Sequence, residues 1–525
     1  MLPTSLAEQA VLIVLASALY CVVSNLFQSK TSVQALPVPL GAQWIWGHER
    51  TVFVREPGRA FRGWIREKGL TFRIKAAFRA PDVVVLSDPV GIAHILQKKV
   101  YDYPHSQVVR PRVARLLGKG LGWVEGETEH KRMRHMVTPP FSHENIRAMS
   151  QDIAAASMQI VDDLTLEVQG SSKDSSYNAL EWTAKATLNV IGRVVFLHDF
   201  EGGNSEDAKL ILNARRRGVN PVLQYAGFLT LMLLRRFPIL NKLPIWAIQS
   251  QGLAKMVIQS GVAYEMIRRN EGLVGNIQPK QQRDLLTRLL SAHAEGRISR
   301  QELLEQISTF VISGHETTTQ TLGFTIFELA RHPDIQRRLR AELAELGREP
   351  TYDDFHARLP YLDAVLKETL RLYPGLPYME RTAACADIIP LRDPVQLSTG
   401  QLITALPVAP GQVVLIPIIA IHRLDAVWKD ADTFRPERWL HDLPASESLC
   451  NGWANTLAFS DGPRSCIGMR LAIYQYKVIL TQMMGRFRFV DSGADIMLKV
   501  SSSLQAWDAC AIEKGPCIPV RLELL

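Results

Sequence analysis

Only six cysteines occur in the 525 residues, and none of them pair at the short spacings that zinc sites and iron–sulfur clusters use. The same scarcity argues against a disulfide framework. The sequence also lacks an Asn-x-Ser/Thr acceptor site, so nothing in it favours a glycosylated lumenal domain. These absences favour a reducing compartment for the body of the protein.

Strong charge of either sign is also lacking, because the formal net charge of +8 is modest for this length. The basic clusters, such as Lys131-Arg132 and Arg215-Arg216-Arg217, are scattered and not interleaved with aromatic residues, which argues against nucleic-acid binding. Attraction to acidic membrane lipids or to an acidic protein partner fits this charge better. A phosphate-binding loop is absent, and Gly118-Lys-Gly120-Leu-Gly122 lacks the spacing of the dinucleotide fingerprint.

No long low-complexity linker divides the chain, so we expect one large domain behind an amino-terminal extension. Residues 10–27 carry no charge, and as a helix they span roughly 27 Å, close to the thickness of a thin bilayer. A cleaved signal peptide is the alternative, but only Glu8 and no basic residue precedes the run. Basic residues behind it, beginning at Lys30, favour a retained anchor with the body in the cytosol. We therefore predict a short non-cytosolic end at 1–9, a transmembrane anchor at 10–27, a proline-containing linker at 28–45 and a catalytic domain at 46–525.

The pattern of the body is mainly helical, with strand-like runs near both ends at Thr71–Phe78, Val83–Leu86 and Val413–Ile419. Pro417 predicts that the last of these runs lies at a sheet edge. A second apolar run, Val222–Leu234, is too short to span a bilayer. It is either a buried core helix or a segment that dips into the membrane surface, with the following Arg235-Arg236 pair at headgroup level.

The most informative run is Phe459-Ser-Asp-Gly462-Pro-Arg464-Ser-Cys466-Ile-Gly468, which a helix-compatible stretch follows directly. A thiolate in such a glycine-bounded loop can bind a haem iron, while the amino end of the following helix offsets its negative charge. The run resembles the cysteine-ligand signature of the cytochrome P450 family, F-x-x-G-x-R-x-C-x-G. The resemblance implies that Cys466 is the axial ligand of a haem b, and that Phe459, Arg464 and Gly468 contact the cofactor. The five other cysteines are interpreted as small packing residues: Cys21, Cys385, Cys450, Cys510 and Cys517.

The longest predicted helix begins at a capping box, Ser299 with Glu302, and ends before His332-Pro333. Its middle, Ser313-Gly314-His315-Glu316-Thr317-Thr318, combines glycine, an acid and threonines, which is unusual for a buried helix. This run is similar to the oxygen-binding helix of the same family. The resemblance implies that Gly314 leaves room for dioxygen, that the Thr317 hydroxyl donates to iron-bound oxygen, and that Glu316 passes protons in from solvent.

Three further motifs follow the order of the family. The resemblance implies a buried ionic network, structural in role, between Glu368 and Arg371 of Lys367-Glu-Thr-Leu-Arg371 and Arg438 of Phe434-Arg-Pro-Glu-Arg438-Trp. His130 stands where the family most often has tryptophan, one helical turn before Arg134, so both are candidates to bond a haem propionate. Two further arginines are propionate candidates by position, Arg381 and Arg464. His422 in Ile421-His-Arg423 is interpreted as structural.

The resemblance covers roughly Leu36 to the carboxyl end and implies a mainly α fold with small β-sheets, a helical prism that encloses the haem behind a transmembrane helix. It implies a monooxygenase that inserts one oxygen atom from O2 into a small apolar molecule such as a terpenoid, steroid, polyketide, fatty acid or xenobiotic. The chain is too short for a fused flavin reductase, so electrons are expected from a membrane-bound NADPH-cytochrome P450 reductase, with cytochrome b5 as a further partner, at the endoplasmic reticulum. Two alternatives keep the haem: an isomerase or dehydratase that acts on a peroxide, and a haem-binding sensor without catalysis.

Overall fold

The computed structural model describes residues 32–172, 174–217, 221–242, 248, 250–273, 283–441 and 443–525. Helices dominate this part of the chain, as the sequence predicts. The α-helices are Glu49–Val54, Arg59–Lys68, Pro89–Ala93, Val109–Leu116, Glu127–Val137, His143–Ala148, Ser150–Gln169, Ala179–Phe196, Glu206–Arg217, Pro221–Arg236, Leu253–Val257, Ala263–Asn270, Leu285–Ala294, Arg300–Arg331, Pro333–Glu345, Asp354–Ala357, Pro360–Leu372, Ile418–Ile421 and Met469–Arg486. We call Arg300–Arg331 the long helix and Met469–Arg486 the cysteine helix.

The strands form small sheets, also as predicted. They are β1 (Thr71–Ile74), β2 (Val83–Leu86), β3 (Ser176–Asn178), β4 (Met379–Thr382), β5 (Asp387–Gln396), β6 (Leu402–Val408), β7 (Val413–Ile416), β8 (Phe487–Asp491), β9 (Ile496–Val500), β10 (Leu504–Asp508) and β11 (Pro519–Leu524). The largest sheet in the described part has the order β1-β2-β7-β4, and β3-β11-β8 form a second one. Two hairpins, β5-β6 and β9-β10, complete the set.

The prediction that Val413–Ile419 is an edge strand is wrong. Strand β7 ends at Ile416 and lies between two neighbours, parallel to β2 and antiparallel to β4. Pro417 falls just beyond the strand, where it precedes the short helix Ile418–Ile421. Its missing N–H therefore removes no bond from the sheet. The strand predicted at Thr71–Phe78 is also too long, because it ends at Ile74 and Phe78 lies in a 3-10 turn with a φ of 54°.

The long helix organises the main core. Its capping box forms as predicted: the Ser299 hydroxyl accepts from the Glu302 N–H, and the Glu302 carboxylate accepts from the Ser299 N–H. Most of its residues are buried, from Leu303 to Ala330, by contact with Ala179–Phe196, the cysteine helix and neighbouring helices. A helix that is buried along most of its length provides a fixed frame on which a site can be built.

The predicted amino-terminal segments lie largely outside the described residues, including the end at 1–9 and the anchor at 10–27. Within the described ranges, we find no helix with the length and apolarity needed to cross a bilayer. Part of the predicted linker packs on the body: Val33 and Leu36 are buried in a core cluster. The carbonyls of residues 35, 36, 37 and 39 accept hydrogen bonds from the body, one of them from the buried His48 ring.

The apolar run Val222–Leu234 lies in the helix Pro221–Arg236, which has features of a buried core helix and of a membrane-surface segment. Phe228 and Met232 are buried in a small cluster, whereas Tyr225 and Leu233 are exposed. The placement of its arginines at headgroup level is wrong for Arg235, whose side chain is only 14% exposed and forms ion pairs with two carboxylates, and Arg236 is buried. The other cysteines were predicted to be packing residues. Cys21 lies outside the described residues. Among those that are described, only Cys450 is buried, Cys385 and Cys510 are exposed, and Cys517 is intermediate.

Candidate active site

The loop before the cysteine helix has a backbone that only glycine accommodates. Gly462 has a φ of +69°, and a Cβ at this position would lie 2.1 Å from the carbonyl oxygen of Leu96. Asp461 beside it accepts a hydrogen bond from Gln97 Nε2 at 2.7 Å. The Cys466 N–H donates to the carbonyl of Phe459 at 2.9 Å and so closes the loop. The glycine of the signature is therefore required by close contact with another segment.

Cys466 is surrounded by protein and is nevertheless exposed, so its thiol opens onto an internal space. Burial raises the pKa of the thiol. Hydrogen bonds from the backbone N–H groups of Gly468 and Met469 act in the opposite direction, together with the charge of Arg134. These groups favour the thiolate that metal binding requires.

The long helix is also open at one turn. Its neighbours are buried, but Thr317 is exposed, and Ser313, Gly314 and Glu316 are partly exposed. The Thr317 hydroxyl donates to the carbonyl of Ser313 at 3.1 Å. We call residues 313–317 the open turn, because it is a polar, accessible stretch within a buried helix.

Gly314 has a role that sequence analysis did not predict. A Cβ at this position would lie 2.9 Å from the Cδ1 of Ile191, on the helix Ala179–Phe196. The missing side chain thus allows two core helices to pack closely, and the room for dioxygen beside Gly314 stays a prediction. Gln475 of the cysteine helix contacts the same turn, since its Nε2 donates to Thr318 Oγ1 at 3.0 Å and to the Gly314 carbonyl at 3.4 Å. This contact joins the element that carries Cys466 to the open turn.

Glu316 is held from the opposite side. Its carboxylate accepts hydrogen bonds from the hydroxyls of Ser502 and Ser503, the latter at 3.2 Å. Both serines lie in the turn that connects β9 and β10, residues 501–503. Sequence analysis missed this contact, although the run of three serines between two strands was a signal of a polar turn.

Three of the four predicted propionate candidates are arginines: the side chains of Arg381 and Arg464 are buried, and Arg134 is half-buried. Arg134 Nη1 donates to the Ser465 carbonyl at 2.9 Å, and Arg464 pairs with Glu125 at 2.8 Å. Arg464 Nε and Arg381 Nη1 are buried and have no hydrogen-bond partner among the described residues. Burial and the nearby Arg464 charge lower the pKa of Arg381 to about 10.

Glu125 is a carboxylate that sequence analysis missed. It accepts from the His105 ring at 2.6 Å as well as from Arg464. Burial alone would raise the pKa of Glu125, but the bonds from His105 and the Arg464 charge outweigh it and lower the pKa. The Glu125 charge acts on both Arg464 and Arg381, so the cluster keeps an excess of positive charge that attracts an anion.

His130, the fourth candidate, is buried, and its Nδ1 shares a hydrogen bond of 3.1 Å with the Tyr101 hydroxyl. Burial and the charges of Arg464 and Arg134 lower the pKa of His130 to about 4. The ring is therefore neutral near pH 7. It offers a hydrogen bond to a propionate but no charge.

The predicted ionic network is assembled around Glu368, which is fully buried. Arg371 donates to both carboxylate oxygens at 2.8 Å, and Arg438 Nε donates to one of them at 2.9 Å. Burial alone would raise the pKa of Glu368, but Arg371 and Arg438 outweigh it and lower the pKa. His422 accepts a hydrogen bond from the Leu457 N–H at 2.8 Å, and so ties the segment before the cysteine loop to the same region.

A family profile for cytochrome P450 matches residues 54–504 of the chain. The chain belongs to the cytochrome P450 family. Cytochrome P450 monooxygenase claQ of Ampulloclitocybe clavipes is 31% identical over 443 residues, which cover 83% of this chain and 82% of that protein. Cytochrome P450 monooxygenase 128 of Postia placenta is 29% identical over 512 residues, which cover 93% and 92% of the two chains. The predicted enzyme class, a haem-thiolate monooxygenase, is thereby confirmed.

The residues of this P450 fit a haem in three respects. Cys466 provides an accessible thiol beside the amino end of a helix. Gly468 has an ordinary φ of −83°, and a Cβ there would meet nothing within 4 Å, so the protein alone does not require glycine beside the thiol. The unpartnered guanidinium N–H groups of Arg381 and Arg464 are buried donors suited to carboxylates. Together these features support the haem that the family implies.

A large cavity, of about 1080 Å³, reaches Glu316 on the long helix. Its wall includes apolar side chains of the helix Pro221–Arg236, among them Phe228 and Met232, and Leu498 of β9. Arg112 and Ser501 also line it. A cavity of this size accommodates a small organic molecule.

Proposed function

We propose that this P450 hydroxylates a small apolar molecule and receives its electrons from a separate NADPH-dependent reductase. The observation that carries the proposal is a contact between two elements. The cysteine helix follows Cys466, and its Gln475 contacts the open turn, which bears Thr317. Glu316 of the same turn lines the cavity. Gln475 thus joins the helix that follows the ligand-bearing loop to the turn that bears the hydroxyl and the acid, and the acid lines the cavity.

The haem bound by Cys466 would supply the activation of dioxygen. In the net reaction one oxygen atom enters a C–H bond of the substrate, and the other leaves as water with two protons and two electrons. The chain's own residues must deliver those protons. We propose that Glu316 takes up protons from the cavity and that the Thr317 hydroxyl holds the final proton to be delivered.

The remaining features of the proposal concern location and partners. The uncharged run at residues 10–27 supports a membrane anchor, and the exposed apolar side chains of Tyr225 and Leu233 support a contact of the body with lipid. We propose that the catalytic domain faces the cytosol at the endoplasmic reticulum. Two exposed cations support docking of an acidic reductase or of cytochrome b5. Arg470 follows Cys466 closely in the sequence, and Lys131 lies on the same helix as Arg134, which contacts the cysteine loop.

The test uses the full chain in membranes that contain the reductase. Wild-type protein should show the red-shifted carbon monoxide absorption of thiolate-ligated haem after reduction, and its product formation should require NADPH. Cys466→Ser should lose both. Turnover of a peroxide without NADPH would instead support the isomerase alternative.

A second variant tests the proton path. In Thr317→Ala we expect product formation to fall by on the order of 100-fold while NADPH consumption continues. Oxygen would still be reduced, but without the positioned hydroxyl its protons would no longer be delivered in the way that insertion into the substrate requires. Thr321→Ala is the matched control, since its hydroxyl lies one turn away and donates to the Thr317 carbonyl. An unchanged ratio of product to NADPH in Thr317→Ala would overturn the role assigned to Thr317.

A further inference from the structure

Arg112, a cation in the wall of the cavity, has no partner of opposite charge among the described residues. Arg112 lies on the helix Val109–Leu116 and lines the cavity. Its Nη2 donates to the carbonyl of Ser501 at 2.7 Å, which is the guanidinium group's only hydrogen bond to the described part of the chain. None of the described carboxylates forms an ion pair with it. A guanidinium group has five N–H donors, so a planar, two-oxygen anion can still bind.

Other cations of the cavity wall are in a different state. Arg235 forms ion pairs with Glu49 at 2.8 Å and with Glu380 at 2.7 Å. Its charge is thus already neutralised within the protein. Lys499, a cation on β9, lies 4.4 Å above the ring of Trp507.

Lys209 pairs with Glu206 at 2.8 Å, and Lys185 lies 4.4 Å from the centre of the Trp182 ring. Arg55 is exposed to solvent, whereas Arg112 is half-buried and has no counterion among the described residues. This contrast makes Arg112 the wall cation best suited to bind a ligand.

A second guanidinium group reinforces the positive field at this point. Arg115, on the same helix, donates to Asn241 and Gln251, which are both neutral, and its Nη2 is buried without a partner in the described part of the chain. Burial and the charge of Arg112 lower the pKa of Arg115, and burial lowers the pKa of Arg112. Two desolvated cations without counterions favour binding of an anion.

We infer that the substrate of this P450 is an apolar molecule that carries a carboxylate, which Arg112 binds in the cavity. The inference rests on the proposed function and specifies its substrate class. The apolar body of the acid would lie against Leu116, one turn along the same helix, and against Phe228 and Met232. The bond between Arg112 and Ser501 keeps the guanidinium group oriented before the acid arrives.

The experiment compares acids with their esters on the purified, haem-loaded full chain. The probes are dodecanoic acid with methyl dodecanoate, and abietic acid with methyl abietate. Each is titrated while the change in haem absorption on ligand binding is followed. We expect at least one acid to bind about 10-fold or more tightly than its ester, because a charge-assisted pair forms only with the acid.

Three variants locate the effect. Arg112→Gln keeps a donor to the Ser501 carbonyl and should reduce the preference for the acid to less than about 3-fold, whereas Arg112→Lys should retain part of it. Arg110→Gln is the matched control: it removes one charge from the same helix, and Arg110 stacks on Trp123 at 4.2 Å outside the cavity wall. It should keep the wild-type preference.

Equal binding of acids and esters by the wild-type chain, or binding of neither acid, would overturn the inference. So would an equal loss of preference in Arg110→Gln and Arg112→Gln, because the effect would then be a general one of charge. The reduced carbon monoxide spectrum of every variant is recorded first. A normal spectrum without acid preference refutes only the substrate class, whereas an absent thiolate spectrum in the wild type refutes the proposed function itself.

Discussion

Two glycines of the cysteine loop have opposite reasons to be glycine. Gly462 is required by the protein itself, since its φ is positive and a Cβ would collide with the Leu96 carbonyl. Gly468 has an ordinary φ and free space around its Cα. The sequence motif shows both residues at fixed spacing but does not distinguish these reasons, because they depend on which other segment approaches the loop.

This difference gives a paired prediction. Gly462→Ala should lower the free energy of unfolding by about 2 kcal/mol or more, through backbone strain and the collision. Gly468→Ala should leave the thermal stability of the haem-free chain near that of the wild type and lower its haem content, because the added methyl group fills space beside the thiol. Unfolding in urea and haem quantification would check both. Equal stability losses in the two variants would contradict the assignment.

Glu368 should be the most sensitive position of the ionic network. Its replacement by glutamine leaves Arg371 and Arg438 buried without a counterion, which should cost about 3–5 kcal/mol in the free energy of unfolding. Glu345→Gln makes the same change in charge at an exposed site on the neighbouring helix Pro333–Glu345 and should cost little. Denaturant unfolding would measure both, and a loss below about 1 kcal/mol in Glu368→Gln would refute the prediction.

At the scale of elements, His422 connects the short helix Ile418–Ile421 to the start of the cysteine loop through the Leu457 N–H. Burial and the charge of Arg371 lower the pKa of His422 to about 3. The folded state therefore keeps this ring neutral, whereas the unfolded chain protonates it below about pH 6.5. As the pH falls from 6.5 towards 3, the unfolded state binds the extra proton, and stability is lost.

We expect His422→Gln to reduce the pH dependence of the unfolding free energy in that window by about 1.4 kcal/mol per pH unit, the value for one proton. The exposed His135, replaced in the same way, serves as the control. Urea unfolding at several pH values would measure both slopes. Identical slopes for wild type and His422→Gln would show that the ring is not neutral in the folded protein.

Elements differ in how well the sequence predicts them. The long helix was predicted to the residue at its start, because the capping box is a local contact between Ser299 and Glu302. Strand β7 was misplaced at an edge, because its two neighbours come from distant parts of the chain. The bonds from Ser502 and Ser503 to Glu316 join residues nearly two hundred positions apart, and no local pattern encodes such a pairing. The motif resemblance identified Cys466 and Thr317 as candidate site residues, but it did not identify the side chains that contact the neighbouring residues of the site.

At the scale of the whole molecule, the packed body begins earlier than the proline-containing linker predicted at 28–45 suggests. Val33 and Leu36 are each only 1% exposed, and the Ser398 N–H donates to the Ala35 carbonyl at 2.8 Å. A chain that begins at Ser32 should therefore keep wild-type thermal stability. A chain that begins at Gly41 should lose roughly 3 kcal/mol or more, since two buried apolar side chains are removed.

Thermal unfolding and sedimentation with membranes would check both shortened chains. Both should leave the membrane fraction more readily than the full chain if residues 10–27 are the anchor. Equal stability of the two shortened chains would mean that residues 32–40 contribute nothing to the fold.

The turn at residues 501–503 bears on attempts to change what this P450 accepts. Its first residue supports Arg112 through a carbonyl, and its next two support Glu316 through hydroxyls. If Arg112 and Glu316 have the roles proposed above, changes at this turn would alter substrate choice and coupling efficiency together, so a library scored only on a new product would not detect variants that waste reducing equivalents. Screens at these three positions should therefore count NADPH consumed for each product molecule.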